Sequence, residues 1–172
     1  MGWHMHEIAQ RSDERLDPSV RTLLEDLISA YAFALDDEDI DRWPQFFTES
    51  GVYVLTTKEN HDAGLPIGII RCIGRGMMSD RVKAFHTANI FEPHSYSHMV
   101  SRPLIALGPQ RDSYVARSNF QVVRTMQDGR AELFATGKYL DSMVVESGVA
   151  RFQERIVVLN SRQVDILVVM PI

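Results

Sequence analysis

The chain has 172 residues, 45% of them hydrophobic and 24% charged, with a formal net charge of -5. A domain of this length buries about 70% of the surface its unfolded chain exposes, so it needs no metal or disulfide to fold. The acidic balance, with no basic stripe, argues against a nucleic-acid partner. Cys72 is the only cysteine, which excludes an intrachain disulfide and any zinc or iron-sulfur site built on cysteine pairs, and fits a reducing cytoplasm.

Residues 1–16 are polar, without a clear period, and read as an N-terminal arm; residues 17–172 read as one domain. The first residues lack the basic start and apolar run of a signal peptide. The late apolar run Ile166 to Met170 is far shorter than the ~20 residues that span a bilayer, so no membrane anchor is expected. Asp17-Pro18 reads as an N-cap followed by proline at the first helical position, where a missing N–H costs nothing. From there Val20, Leu23, Leu24, Leu27, Ile28, Tyr31 and Leu35 recur at three- and four-residue steps, which predicts an amphipathic helix over Pro18 to Asp36.

A short helical piece over Ile40 to Phe47 follows, with Trp43, Phe46 and Phe47 clustered around Pro44 as core. The first strand is expected from Gly51 to Thr57, then a polar loop from Lys58 to Leu65 and a strand over Pro66 to Ile73 weakened by Gly68. A second long helix is placed at Gly76 to Ala88. The remaining half reads as strands over Tyr96 to Ala106, Ser113 to Met126, Arg130 to Val145, Ala150 to Leu159 and Val164 to Met170. These runs are rich in β-branched and aromatic residues and are separated by Gly108-Pro109, Asp128-Gly129 and Ser147-Gly148. Asp128-Gly129 is the strongest hairpin signal, since both central positions of the favoured turn need positive φ. Helices first and antiparallel strands afterwards give an α+β class.

The candidate chemistry is sparse. His94 and His98 would suit a metal on a helix, but Pro93 and Ser95-Tyr96-Ser97 favour an extended chain, in which four residues span about 13 Å, too far for two ligands of one zinc ion. His61 and His86 read as surface residues. The acids from Asp36 to Asp41 lack the spacing and central glycine of a calcium loop, and neither a phosphate loop nor a dinucleotide fingerprint occurs. Cys72 has no activating neighbour, so nucleophilic catalysis has no support. General acid-base chemistry needs only an Asp or His with a Tyr brought together by the fold, and Asp36, His98 and Tyr53 could supply one. On its residues alone the chain is an α+β domain with no identifiable active site.

A resemblance carries the reading further. It runs from Leu16 to Ile172 and rests on Trp43-Pro44-Gln45-Phe46-Phe47-Thr48, Asn60-His61-Asp62-Ala63-Gly64-Leu65-Pro66 and Arg75-Gly76-Met77-Met78-Ser79-Asp80-Arg81-Val82. It continues through Ala88-Asn89-Ile90-Phe91-Glu92-Pro93-His94, Ser101-Arg102-Pro103-Leu104-Ile105 and Arg151-Phe152-Gln153-Glu154-Arg155-Ile156-Val157. With these stretches the chain resembles the small (beta) subunit of Rieske non-haem-iron aromatic-ring hydroxylating dioxygenases. Ser95 and Ser97 depart from the basic or bulky residues that relatives often carry there.

The resemblance implies a nuclear-transport-factor-like (cystatin-like) cone, a strongly curved, mostly antiparallel sheet wrapped around N-terminal helices. It also implies a non-catalytic structural role: self-association as a trimer within an α3β3 hexamer, and a large (alpha) subunit as partner. That partner would hold the Rieske [2Fe-2S] cluster and the mononuclear iron, with no cofactor, metal or catalytic residue in this chain. One cysteine cannot supply the two Cys of a Rieske centre. The Asn-His-Asp and Asn-Ile-Phe-Glu-Pro-His stretches look most like subunits of oxygenases acting on carboxylated aromatics such as terephthalate, anthranilate or salicylate. Tyr96, His98, Arg102 and Arg155 are the candidate partner contacts, because polar and aromatic side chains in apolar strands often serve interfaces. The competing reading satisfies each within its own subunit. The alternative function is a free-standing cone-fold dehydratase or isomerase using an Asp/His/Tyr pocket.

Overall fold

The computed structural model describes residues 16–88, 93–160 and 171–172. The arm up to residue 15, the Asn89-Ile90-Phe91-Glu92 stretch and the strand expected at Val164 to Met170 lie outside the described residues. Helix α1 (Pro18–Asp36) starts where the sequence places it. The Asp17 carboxylate accepts hydrogen bonds from the Ser19 N–H at 2.8 Å and the Ser19 hydroxyl at 2.6 Å, which satisfies donors that the first helical turn leaves open. Its buried stripe is Leu24, Leu27, Ile28, Tyr31 and Leu35.

A 3-10 segment (Ile40–Phe46) turns the chain into strand β1 (Phe47–Thr57). Pro44, which has no N–H to give, sits inside that segment. Strand β1 begins four residues earlier than expected, because Phe47 already pairs with Phe152 before a register shift brings Val52 opposite Glu154. The expected polar loop at Lys58 is a one-turn helix, α2 (Lys58–Asp62), capped by the Thr57 hydroxyl accepting from the Asn60 N–H. Strand β2 is only Ile70–Ile73, since Pro66 cannot donate to a ladder. Helix α3 (Gly74–Ala88) follows it directly.

Strands β3 (His94–Val100) and β4 (Leu104–Leu107) were expected as one. They are split at Ser101-Arg102-Pro103, where Pro103 has no donor. They pair in succession along one edge of β5 (Ser113–Met126). Among the described residues, strands β6 (Ala131–Glu146) and β7 (Val149–Leu159) complete a seven-stranded sheet of order β2-β1-β7-β6-β5-β3, with β4 paired to β5 off this path. All pairings are antiparallel except β1 with β7. Register shifts in β1–β7, β5–β6 and β6–β7 add local twist and bend to the long strands.

Two of the hairpin turns differ from expectation. Ser147 (φ 52°) and Gly148 (φ 78°) are both left-handed, so this two-residue loop is the turn with two positive-φ central residues. At Asp128-Gly129 only Gly129 has positive φ. The Gly129 N–H donates to the Met126 carbonyl at 2.9 Å and the Asp128 carboxylate accepts from the Arg130 N–H at 2.9 Å, a three-residue loop with a glycine bulge.

The core sits between α1, the 3-10 corner and the inner face of β1, β7 and β6. Trp43, Phe47, Tyr53, Tyr31 and Phe152 are fully buried, with ring centroids 5.1 Å apart for Trp43 and Tyr53 and 5.7 Å for Tyr31 and Phe152, both nearly perpendicular. Edge-to-face contacts of this kind add about 0.5–1.5 kcal/mol each beyond buried area. Arg75, at the start of α3, locks the corner: its Nε donates to the Pro44 carbonyl at 3.1 Å, and its Nη1 lies 3.3 Å from the Glu49 carboxylate. Among the described residues no helix is long and apolar enough to cross a membrane.

Candidate functional site

Arg155 lies inside the molecule. It stands on β7 opposite Asp141 of β6, and its Nε and Nη2 donate to the two Asp141 oxygens at 2.8 Å each, with neither side chain exposed. Its guanidinium lies 4.0 Å from the Phe152 ring centroid, 4.1 Å from Tyr31 and 4.3 Å from Tyr139. Burial alone would lower its pKa, but the Asp141 charge and hydrogen bonds override that and hold it above the ordinary value. Arg155 is satisfied within its own chain, as the competing reading has it, and forms an internal tie between β6 and β7. The sequence does carry a signal for it, an acid at Asp141 within the apolar run Tyr139 to Val145, but the match needs the strand register.

The same interior holds three tyrosines. Burial pushes the Tyr31 phenol up to about 12 and raises Tyr53 and Tyr139 well above their ordinary value. At neutral pH they are therefore uncharged phenols and not bases. Tyr31 and Tyr53 donate to the Ile172 carbonyl at 3.2 and 3.3 Å, and the Tyr53 oxygen accepts from the Ile172 N–H at 3.0 Å. Both hydroxyls thus tie Ile172 into the core.

Of the acid-base trio, the fold brings two together. Asp36, the last residue of α1, receives the His98 main-chain N–H at 2.9 and 3.1 Å and faces His98 Nδ1 at 2.5 Å. An aspartate on Nδ1 fixes the imidazole and leaves Nε2 as the reactive atom, which is the geometry of a general base. Here the His98 side chain is 0% exposed and Nε2 has no hydrogen-bond partner among the described residues. Tyr53 is bonded to Ile172 instead. As placed, the pair anchors α1 to β3 and offers no surface to a substrate.

Tyr96 is also buried, its ring stacked on Phe134 at 5.1 Å and tilted against His94 at 4.8 Å. Only Arg102 among the four candidates is open, 82% exposed, with Glu25 at 4.0 Å. It sits between β3 and β4 at the sheet edge, beside the exposed Leu104 and Leu107. His61 and His86 are surface residues beside Asp62 and Asp41 at 3.4 and 3.3 Å. Cys72 is buried in β2 and burial raises its thiol, which makes it inert. The chain's own residues do not fit the iron groups: the Rieske set needs two cysteines, and among the described residues no three His, Cys, Asp or Glu converge on one point.

Comparison with known proteins gives the geometry a setting. Residues 19–156 match the SnoaL-like domain family. The chain is 39% identical over 144 residues to the terephthalate 1,2-dioxygenase terminal oxygenase component subunit beta 2 of Comamonas sp, covering 84% of this chain and 93% of that one. It is 37% identical over 147 residues to the anthranilate 1,2-dioxygenase small subunit of Burkholderia cepacia, covering 85% and 90%. A crystal structure from Novosphingobium aromaticivorans, described as the beta subunit of a candidate aromatic-ring-hydroxylating dioxygenase, superposes with a TM-score of 0.81 at 30% identity over 89% of this chain and 97% of that one.

Proposed function

The chain belongs to the SnoaL-like domain family and, within it, to the small (beta) subunits of aromatic-ring-hydroxylating dioxygenases, and from that premise we propose that it is the non-catalytic structural subunit of a terminal oxygenase. The observation that carries the reading is identity of 37–39% spread over 84–85% of the chain. The large subunit would carry the Rieske cluster and the mononuclear iron. This chain would self-associate as a trimer and hold three large subunits in an α3β3 hexamer, so that a Rieske domain lies beside its neighbour's iron domain. A carboxylated aromatic fits as the hexamer's substrate, because the relatives named above are subunits of terephthalate and anthranilate dioxygenases. Residues 17–172 act as one domain in this reading, with the preceding arm outside it, and the cytoplasm is its compartment.

The docking element we infer is the β3–β4 edge carrying Arg102, Leu104 and Leu107, since exposed apolar side chains on a sheet edge with unpaired backbone groups are a ready surface for another chain. The Asp36–His98 pair, whose imidazole is buried, supports a structural reading over a free-standing dehydratase. The test is co-expression with the large subunit encoded beside it, purification through a tag on this chain, and measurement of mass and iron. A stoichiometric, iron-bearing complex is expected, and Arg102→Ala with Leu104→Asp should deplete the large subunit from it. An iron-free oligomer of this chain alone, or turnover by the purified chain, overturns the proposal.

A further inference from the structure

The outer face of the sheet carries a groove of about 650 Å³ that no role described above uses. Its floor follows from strand register. Arg117, Asn119 and Gln121 of β5 alternate with the buried Ala116, Ser118 and Phe120 and so point away from the core. Across β6, Asn119 faces Lys138, which makes Arg117 the diagonal neighbour of Lys138 on the same face. Diagonal neighbours on a sheet lie about 7–8 Å apart, within reach of two long side chains converging on one group. On the other side Met99 of β3 lies opposite Gln121, 65% exposed, and gives the groove an apolar wall. Lys58, at the start of α2, closes the far end.

The charges in this groove are unevenly matched. Lys58 is bonded to Asp62, four residues on. Among the described residues, Arg117 and Lys138 have no carboxylate within ion-pair distance, and no acid lines the groove. Burial first, then the Arg117 charge, lowers the Lys138 pKa, while Asp62 works against the shift from farther off. Two cations held side by side in a half-buried groove, within a chain of net charge -5, are a standing repulsion that a bound anion would relieve. A guanidinium fork beside an ammonium matches a carboxylate in shape and charge. The volume is that of a small-molecule site, about 300–1,000 Å³, and larger than an inorganic ion needs.

We propose that this groove binds a small organic acid, its carboxylate held between Arg117 and Lys138 and its apolar body laid against Met99. The Asn119 and Gln121 amides supply further donors at its sides. The site is open to solvent, and the role we assign it is binding. It stands on this chain's own residues and does not rest on the oxygenase reading.

The test is titration of the full chain alone, by calorimetry and by amide chemical shifts, with terephthalate as the charged probe and its neutral diamide as the control. Saturable binding of the acid is expected, with the Asn119 and Gln121 side-chain signals moving and the diamide failing to bind. Lys138→Gln and Arg117→Gln should each weaken it about tenfold or more, the loss of one charge-assisted contact, while Arg102→Gln leaves it unchanged. Wild-type thermal unfolding of the groove variants serves as the control for folding. No saturable binding at millimolar acid, or equal binding by wild type and variants, overturns the proposal. So does a chain that ignores the acid but, on Lys138→Gln, loses its co-purified large subunit. That outcome would make the groove a contact for a partner's acidic side chains and leave the oxygenase reading standing.

Discussion

Replacing Asp141 by alanine would strip both acceptors from a guanidinium that has no exposed surface. The rings of Tyr31, Tyr139 and Phe152 around it are present before and after the change, so they do not compensate for it. Truncating one partner of a buried pair costs about 3–5 kcal/mol, most of it the penalty of a charge left buried without its counter-ion. For a chain of this size each kcal/mol moves Tm by about 2–4 °C, so Asp141→Ala should melt about 6–20 °C lower than wild type. Thermal unfolding followed by circular dichroism, with a urea series to check that the m-value is unchanged, measures it. The double variant Asp141→Leu with Arg155→Met removes both charges and fills the space with apolar atoms, so it should recover most of the loss. An Asp141→Ala protein within about 1 kcal/mol of wild type, or a double variant no more stable than the single one, would refute the reasoning.

The remaining expectations concern other parts of the fold. Tyr31, whose phenol is raised by burial from 10.0 to about 12, and the similarly buried Tyr53 and Tyr139 stabilise the folded state below pH 10. That contribution is lost as the pH rises through the folded values, so tyrosinate absorbance from these three should appear only together with alkaline unfolding. Gly137→Ala would place a Cβ 2.2 Å from the Val158 carbonyl oxygen and 2.9 Å from the Phe120 ring. A loss of about 1–3 kcal/mol or more is expected in urea unfolding. Gly148→Ala meets no atom within 4 Å but keeps φ at +78°, so only the left-handed backbone cost of about 1–2 kcal/mol should appear. Asp36→Ala leaves the His98 N–H and imidazole without their acceptor, and chemical unfolding should show a loss of about 1–3 kcal/mol.

What the sequence by itself determined is whatever local chemistry decides. Asp17-Pro18 and the three- and four-residue spacing from Val20 to Leu35 set α1 at Pro18–Asp36, where capping and amphipathicity agree. Ser113 to Met126, bounded by turn residues and rich in β-branched side chains, is β5 at the bounds expected. The Trp43-Phe46-Phe47 corner is core because three large aromatics next to a proline have no solvated alternative. The spread of family motifs along the chain carried the family.

Tertiary structure decided what depends on residues far apart in the chain. The early start of β1 follows from its pairing with β7, about a hundred residues away. The two-residue hairpin turn fell to Ser147-Gly148 and not Asp128-Gly129, because the register of β5 with β6 leaves three residues in that loop and that of β6 with β7 leaves two. Arg155 reads as a candidate partner contact until Asp141 is set opposite it, and nothing marks Lys138 until the register places Arg117 diagonal to it. A charge is exposed or buried, paired or crowded, only by virtue of its neighbours across the sheet, and strand register is a property of the folded chain as a whole.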